Sequence, residues 1–457
     1  MTLVSGVVTP NVIKANNDTN NISPRVGFAF SPHSGGFFAD GKSVVRGGFG
    51  IFYDSGFSNF VVNAAQASPN AVAGQLIQTT GFGLANATSL VPTISPQLSL
   101  QSTIDATVNN LVNPITYQYN LGVERQLPAN IFAAIRYVGA RSNKLFSTQR
   151  YNYFSGTTAA RLNPAYGAID AIGNYGDSNY NSLQIEGSHL FSHGFQIRGN
   201  YTYSKDLDDV SEIFPTFAAP TALAANLAPG QLGQDYGNSA YDHRHYLVIS
   251  YVWSPEGFHA SNTFANAALG AFTRHWTLSG IETFQSGPYS TFSTSVDTNG
   301  DGIVGNDRPI LGSVTAPITT AGIDGHFVGG TPGVYYDVAA FNGSGALNPV
   351  TSNNVHWLVP YGPANQFLHQ EIGRNSFANP GLQFHNLALE KGIGLSYLHL
   401  ERGQLILRAE VQNIGNHNNI GPLDTTVNDI GNGNYLNRKN ATEDPGRQMV
   451  LWAKIAF

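Results

Sequence analysis

The segment Asp297-Thr298-Asn299-Gly300-Asp301-Gly302 places oxygen-bearing side chains at alternate positions. This is the opening of a D-x-N-x-D-G loop, in which hard oxygens wrap a calcium ion and the glycine permits the sharp turn. Ile303 would add its backbone carbonyl. Arg308 stands where a bidentate acid is usual, and Asp307, one residue earlier, is the acid that can replace it. The expected cation set is therefore Asp297, Asn299, Asp301, Ile303 and Asp307. The competing reading is an Asn/Asp/Gly-rich turn that binds nothing. An EF-hand sensor is excluded, because no helical pattern flanks the segment.

A second pattern, Gly36 to Ser43, matches G-x-x-x-x-G-K-S. A phosphate-binding loop needs a helix after it, whose N-terminus faces the phosphate. Val44 to Tyr53 instead alternate like a strand and hold three glycines, so Asp40-Gly41 reads as a hairpin turn. No H-E-x-x-H or G-x-S-x-G occurs, and Asp242-His243-Arg244-His245 lacks metal spacing. No reaction is implied, and no cofactor beyond the candidate calcium.

The remaining chemistry is charge laid out along strands. Arg46, Glu124, Arg136, Glu186, Arg198, Arg244, Glu390, Arg408, Glu410 and Lys454 all fall on the polar face of alternating segments. Glu124 with Arg136, and Glu186 with Arg198, are diagonal neighbours across two hairpins. They line either a polar lumen or a wall held together by structural ion pairs. Glu282 breaks the pattern by sharing a face with Trp276, Leu278 and Phe284.

The elements that carry these residues follow from composition. Charged residues make up 11% of the 457, against ~25% in ordinary soluble domains. Aromatics also reach 11%, there are 50 glycines, and cysteine is absent, which removes disulfides and thiol chemistry. A net charge of -6 argues against a nucleic-acid partner. No apolar run approaches the ~18 residues of a membrane helix. Eleven segments alternate with period two: 25–32, 43–53, 116–127, 131–140, 182–191, 195–205, 243–253, 275–285, 382–391, 403–413 and 447–457. Most have the ~9–11 residues that cross a bilayer as a tilted strand. Tyr53, Tyr137, Tyr203, Tyr251, Trp253 and Trp276 lie toward strand ends, as in an interfacial girdle. Short connections alternate without exception with long ones, 54–115, 141–181, 206–242, 286–381 and 414–446. Outer-membrane barrels have this layout, with short periplasmic turns and long extracellular loops. The sequence thus predicts an all-β, antiparallel transmembrane barrel wall of about 11 strands. Its lipid-facing side chains would include Leu121 and its inward ones Asn120.

Several segments carry a resemblance. SPRVGFAFSP (23–32), DGKSVVRGGFGIFYD (40–54), YQYNLGVERQLPANI (117–131), DHRHYLVISYVW (242–253), DTNGDGIVGNDRP (297–309) and the terminal Phe457 resemble the barrel of Oar-like TonB-dependent outer-membrane receptors. The resemblance runs from about residue 23 to the end. It implies a 22-strand barrel, of which this chain would be the C-terminal, open half, with 25–457 as wall and 1–24 as the end of an extracellular loop. It implies Phe457 as the signal read by the barrel-assembly machinery, outer-membrane lipid as solvent, and an unidentified solute at the loops. TonB would act only through a plug, which residues 1–457 do not show. No signal peptide is visible in residues 1–20. The rival expectations are a self-contained, porin-like passive barrel and a soluble β-rich adhesin or carbohydrate-binding protein.

Overall fold

The computed structural model describes residues 2–4, 7–9, 18–33, 40–56, 62, 103–108, 110–154, 161, 163–212, 235–362, 370–395, 403–437 and 446–456. Phe457, Gly36 to Ala39 and most of 54–115 lie outside them.

Eleven strands form one antiparallel meander in chain order. They are β1 (Arg25–Phe30), β2 (Ser43–Tyr53), β3 (Ile115–Leu127), β4 (Ile131–Arg150), β5 (Ile169–Ser192), β6 (Phe195–Asp208), β7 (His245–Trp253), β8 (Trp276–Gln285), β9 (Leu382–Gly394), β10 (Gln404–Gln412) and β11 (Gln448–Ala456). Each corresponds to one segment read from the sequence. The tight turns have local causes. Ser192 and Phe195 are joined by His193 and Gly194, both at positive φ, the twist a two-residue hairpin requires. Gly41 takes φ 73°, and a strand, not a helix, follows it, which removes the phosphate-loop reading.

Register explains why alternation matters. Phe30, Val45, Val123, Ile135, Ile185, Tyr201, Leu247 and Phe284 are successive cross-strand partners over eight strands. Phe195, Trp253, Leu278, Leu389, Ala409 and Leu451 make a second such row on the same face. This face is not a buried core: Leu121 is 53% exposed and Ile135 54%. A soluble sandwich would cover such rows with a second sheet. Here the face is left for an apolar solvent.

β1 and β11 are the two edges of the meander, and they do not pair with each other among the described residues. Both are exposed along their length.

The expected loop 141–181 is corrected in part. β4 runs on to Arg150 and β5 starts at Ile169, and they stay paired as far as Arg150 and Asp170. Polar residues such as Arg141, Asn143, Asp177 and Asn179 hide this extension, because the ladder continues through backbone bonds after the apolar alternation stops. Bulges between Ser142 and Ser147 bend it. Short strands also occur in the expected loop regions: Ile104–Val108 runs parallel to the start of β5, and Thr2–Val4 pairs with it.

One buried hydrophobic cluster lies in the connections, outside the meander, and smaller ones lie along the extended part of β4 and β5. Connection 286–381 contains a five-stranded sheet and two short helices, α2 (Gly325–Val328) and α3 (Val338–Ser344). A longer helix, α1 (Thr263–Thr273), lies in the connection between β7 and β8.

Candidate functional site: the charged face and its cap

The polar face is built by strand parity. Side chains on one parity of β2 to β6 carry an unbroken alternation of charge. Arg46 reaches Glu124 at 3.4 Å, and Glu124 meets Arg136 at 2.9 Å. Arg136 reaches Glu186 at 2.9 Å, and Glu186 meets Arg198 at 2.8 Å. The register places these partners diagonally: Gly122 is opposite Arg136, and Ser188 opposite Arg198. Both pairings read from the sequence are present. The links Arg46–Glu124 and Arg136–Glu186 were not read, since each joins segments separated by a long connection.

A second, shorter ladder follows. Arg408 lies between Glu390 at 3.4 Å and Glu410 at 2.7 Å, and its guanidinium stands 5.7 Å from the Trp452 ring centroid. Lys454 shares this face, opposite Ile406 in the register. Arg244 is set apart: just ahead of β7, it pairs with Asp242 at 2.9 Å. Two concavities line the face. One, about 620 Å³, is bordered by Arg46, Glu124, Glu186 and Arg198. The other, about 540 Å³, is bordered by Arg198, Ser250, Asn386, Arg408 and Gln412. Arg198 borders both, so they adjoin. The side chains of Arg46 and Arg198 are more than half exposed and present guanidinium donors to the concavity. This surface offers hydrogen bonds and charge to a polar partner or solute.

Glu282 does lie on the apolar face, and the structure supplies what parity lacked. His385 Nδ1 bonds Glu282 Oε2 at 2.6 Å, and the Tyr251 hydroxyl donates to Oε1 at 3.3 Å. The acid is thus paired, as a charge against an apolar medium must be.

At one end of the wall the long connections fold together. Phe292, Ile323, Trp357 and Val359 of 286–381 share one buried core with Val427 and Ile430 of 414–446. The Asn342 amide donates to the Asn428 and Ile430 carbonyls. Arg374 ties in a third connection: it pairs with Asp208 and donates to the Asp235 carbonyl, and Arg308 pairs with Asp235. These charges are almost fully buried. Sequence reading missed them, because no local signal joins arginines and acids so far apart.

The 297–307 turn lies in this cap. Asp297 accepts from the Gly300, Asp301 and Gly302 amides at 2.7, 3.1 and 2.8 Å. Asn299 accepts from the Asp301 amide, and Asp301 from the Ile303 amide and the Asn306 side chain. Asp307 is fully buried; one carboxylate oxygen accepts from the Thr298 amide and hydroxyl, and the other has no partner. Burial pushes its carboxyl up to about 9, despite the Thr298 hydrogen bonds and helped by Asp301 and Asp297 nearby. Among the described residues no three acidic or histidine side chains converge on a common point. The turn as seen is closed on its own backbone.

Some solved structures are similar to this chain at low identity. The outer membrane transporter YddB from Escherichia coli is 11% identical, with a TM-score of 0.48, over 95% of this chain and 40% of YddB. The ferric enterobactin receptor PfeA from Pseudomonas aeruginosa is 11% identical, with a TM-score of 0.43, over 95% and 39%. FpvA from P. aeruginosa, solved with a heterologous pyoverdine and iron, is 10% identical, with a TM-score of 0.40, over 95% and 33%. The chain therefore spans two fifths or less of the length of these three. Comparison with curated protein sequences gives no match. The family profile for the outer membrane beta barrel domain matches residues 2–449, nearly the whole sequence, and the chain accordingly belongs to that family and resides in the outer membrane.

Proposed function

We propose that this chain forms the C-terminal wall of an Oar-like TonB-dependent outer-membrane receptor. It would supply about half of a 22-strand barrel, a charged lumenal face, and a cap of extracellular loops that contacts the solute. The observation that carries this reading is the eleven-strand meander whose two edges do not pair with each other among the described residues. Lipid cannot satisfy the free N–H and C=O groups of an open sheet edge. In this reading further strands lie between β11 and β1. An odd count of eleven is also unlike the even number of bacterial single-chain barrels. In this reading the short turns are periplasmic and the long, cross-linked connections extracellular, with Phe457 at the periplasmic end. TonB would engage a plug outside this chain. The charged ladders would either meet that plug or guide a polar solute past it.

The absence of cysteine allows a direct test. Cysteines placed at Val26 and Leu451 should not cross-link within the membrane-inserted protein. Rapid disulfide formation between them would mean that β1 lies beside β11 in a closed eleven-strand barrel, and the porin-like reading would replace this one.

Calcium at the 297–307 turn belongs to the same proposal. Its support is the ligand pattern and the partnerless oxygen of buried Asp307. Binding would require Asp297 and Asp301 to turn from backbone amides toward one point. Calorimetry should show calcium heats that Asp301→Ala abolishes; identical heats would remove the site.

A further inference from the structure

α1 presents an apolar face that no described residue covers. Asn262 caps its start, accepting from the Phe264 and Ala265 amides at 2.9 and 3.1 Å. Its eleven residues hold no acid or base. At ~100° per residue, Asn266 and Gly270 share one side and Phe264, Ala268, Ala271 and Phe272 the opposite one. The first side packs on Arg274, whose guanidinium donates to Asn266 Oδ1 at 2.5 Å and to the Phe258 carbonyl at 3.2 Å. The opposite side is bare: Phe264 is 84% exposed, Phe272 80%, and neighbouring Phe258 71%.

Position supplies the occupant. Trp276 lies on the apolar face of β8, in line with Leu278, and its indole N–H donates to the Phe272 carbonyl at 2.6 Å. Lys391 is its cross-strand partner, donates to the Arg274 carbonyl, and holds its ammonium 5.1 Å from the Trp276 ring centroid. The helix therefore hangs from the rim where the apolar rows end. Its aromatic face continues theirs, flanked by the Trp, Lys and Arg that favour a membrane–water boundary. A helix of this length is marginal in water and needs a surface to lie on.

We propose that α1 is an interfacial helix lying in the plane of the bilayer. Phe258, Phe264 and Phe272 insert among the phospholipids of the leaflet nearest the short turns, and Arg274 and Lys391 stay at headgroup level. This rests on the reading that the wall's apolar face meets lipid. The helix would anchor the β7–β8 end of the wall and fix its depth.

Spin labels on single cysteines test it in outer membranes isolated from cells producing the protein. Labels at Phe264→Cys and Phe272→Cys should collide freely with oxygen and poorly with a water-soluble nickel reagent. Their oxygen-to-nickel ratio should be several-fold above that of Ser261→Cys, just before the helix. Nickel access equal to that of Ser261 would place the helix in water and overturn the proposal. Protection from both reagents would place it against protein and overturn it equally. A Leu121→Cys label separates the two layers of the argument. If it reads lipid while Phe272 reads water, only the helix proposal fails; if it also reads water, the wall reading fails with it.

Discussion

Leu121 is the sharpest place to test which face of the wall meets lipid. It stands at the centre of β3, with Gly47 and Tyr137 as its cross-strand partners and about half its surface uncovered. A lysine there must put an ammonium at the middle of the bilayer, which in outer-membrane barrels costs ~2–4 kcal/mol. That is roughly a 30- to 1,000-fold fall in the folded-to-unfolded ratio, at about 1.4 kcal/mol per tenfold. Asn120, one residue earlier, points to the opposite face, between Gly48 and Val138. A lysine at Asn120 stays on the polar face and should cost well under ~1 kcal/mol, since surface polar changes rarely exceed ~0.5 kcal/mol. Leu121→Ala removes apolar contact without adding charge and so isolates the ionic part. Urea unfolding in phospholipid vesicles, followed by tryptophan fluorescence, measures all three. If Asn120→Lys is as damaging as Leu121→Lys, or more so, the assignment of faces is wrong.

Three further outcomes are expected. Arg374→Ala should strand the buried Asp208 carboxylate and cost ~3–5 kcal/mol of cap stability, read as faster amide exchange across 286–381; unchanged exchange would show that the pair does not hold the connections together. In the ladder, Glu186→Gln and Arg198→Gln should couple by only ~0.2–1 kcal/mol in a double-mutant cycle, because Arg198 is 55% exposed, and a coupling above ~2 kcal/mol would mean the face is drier than described. Burial pushes the Glu371 carboxyl up to about 7, with Arg308 opposing it; the folded cap then binds more protons than the unfolded chain between about pH 4.5 and 7, so its stability should be full at the acid end of that window and fall by roughly 2–3 kcal/mol toward neutral pH. Glu371→Gln should flatten the slope, and a slope that persists assigns it to another group.

The sequence by itself determined the wall. Period-two alternation names a face for every residue, so Leu121, Ile197 and Leu405 could be set against Asn120, Arg198 and Arg408 with no coordinates. Turn chemistry at Asp40-Gly41 and the alternation of short and long connections then make the strand order a meander, because a tight turn leaves the next strand no neighbour but the last. Parity, however, states a face and not a partner. Which charge on β5 meets Arg136 depends on the register across 141–181, and the meander sets that through backbone bonds that polar residues do not advertise. The tertiary structure alone decided that Arg46 to Arg198 form one ladder, that Glu282 finds His385, and that Arg374 closes on Asp208. It also decided that 286–381 and 414–446 share a core around Phe292, Trp357 and Val427. Most of these groups are far apart along the chain, and only strand register or the packing of the loops gives a charge or an apolar side chain the partner that its removal from water requires.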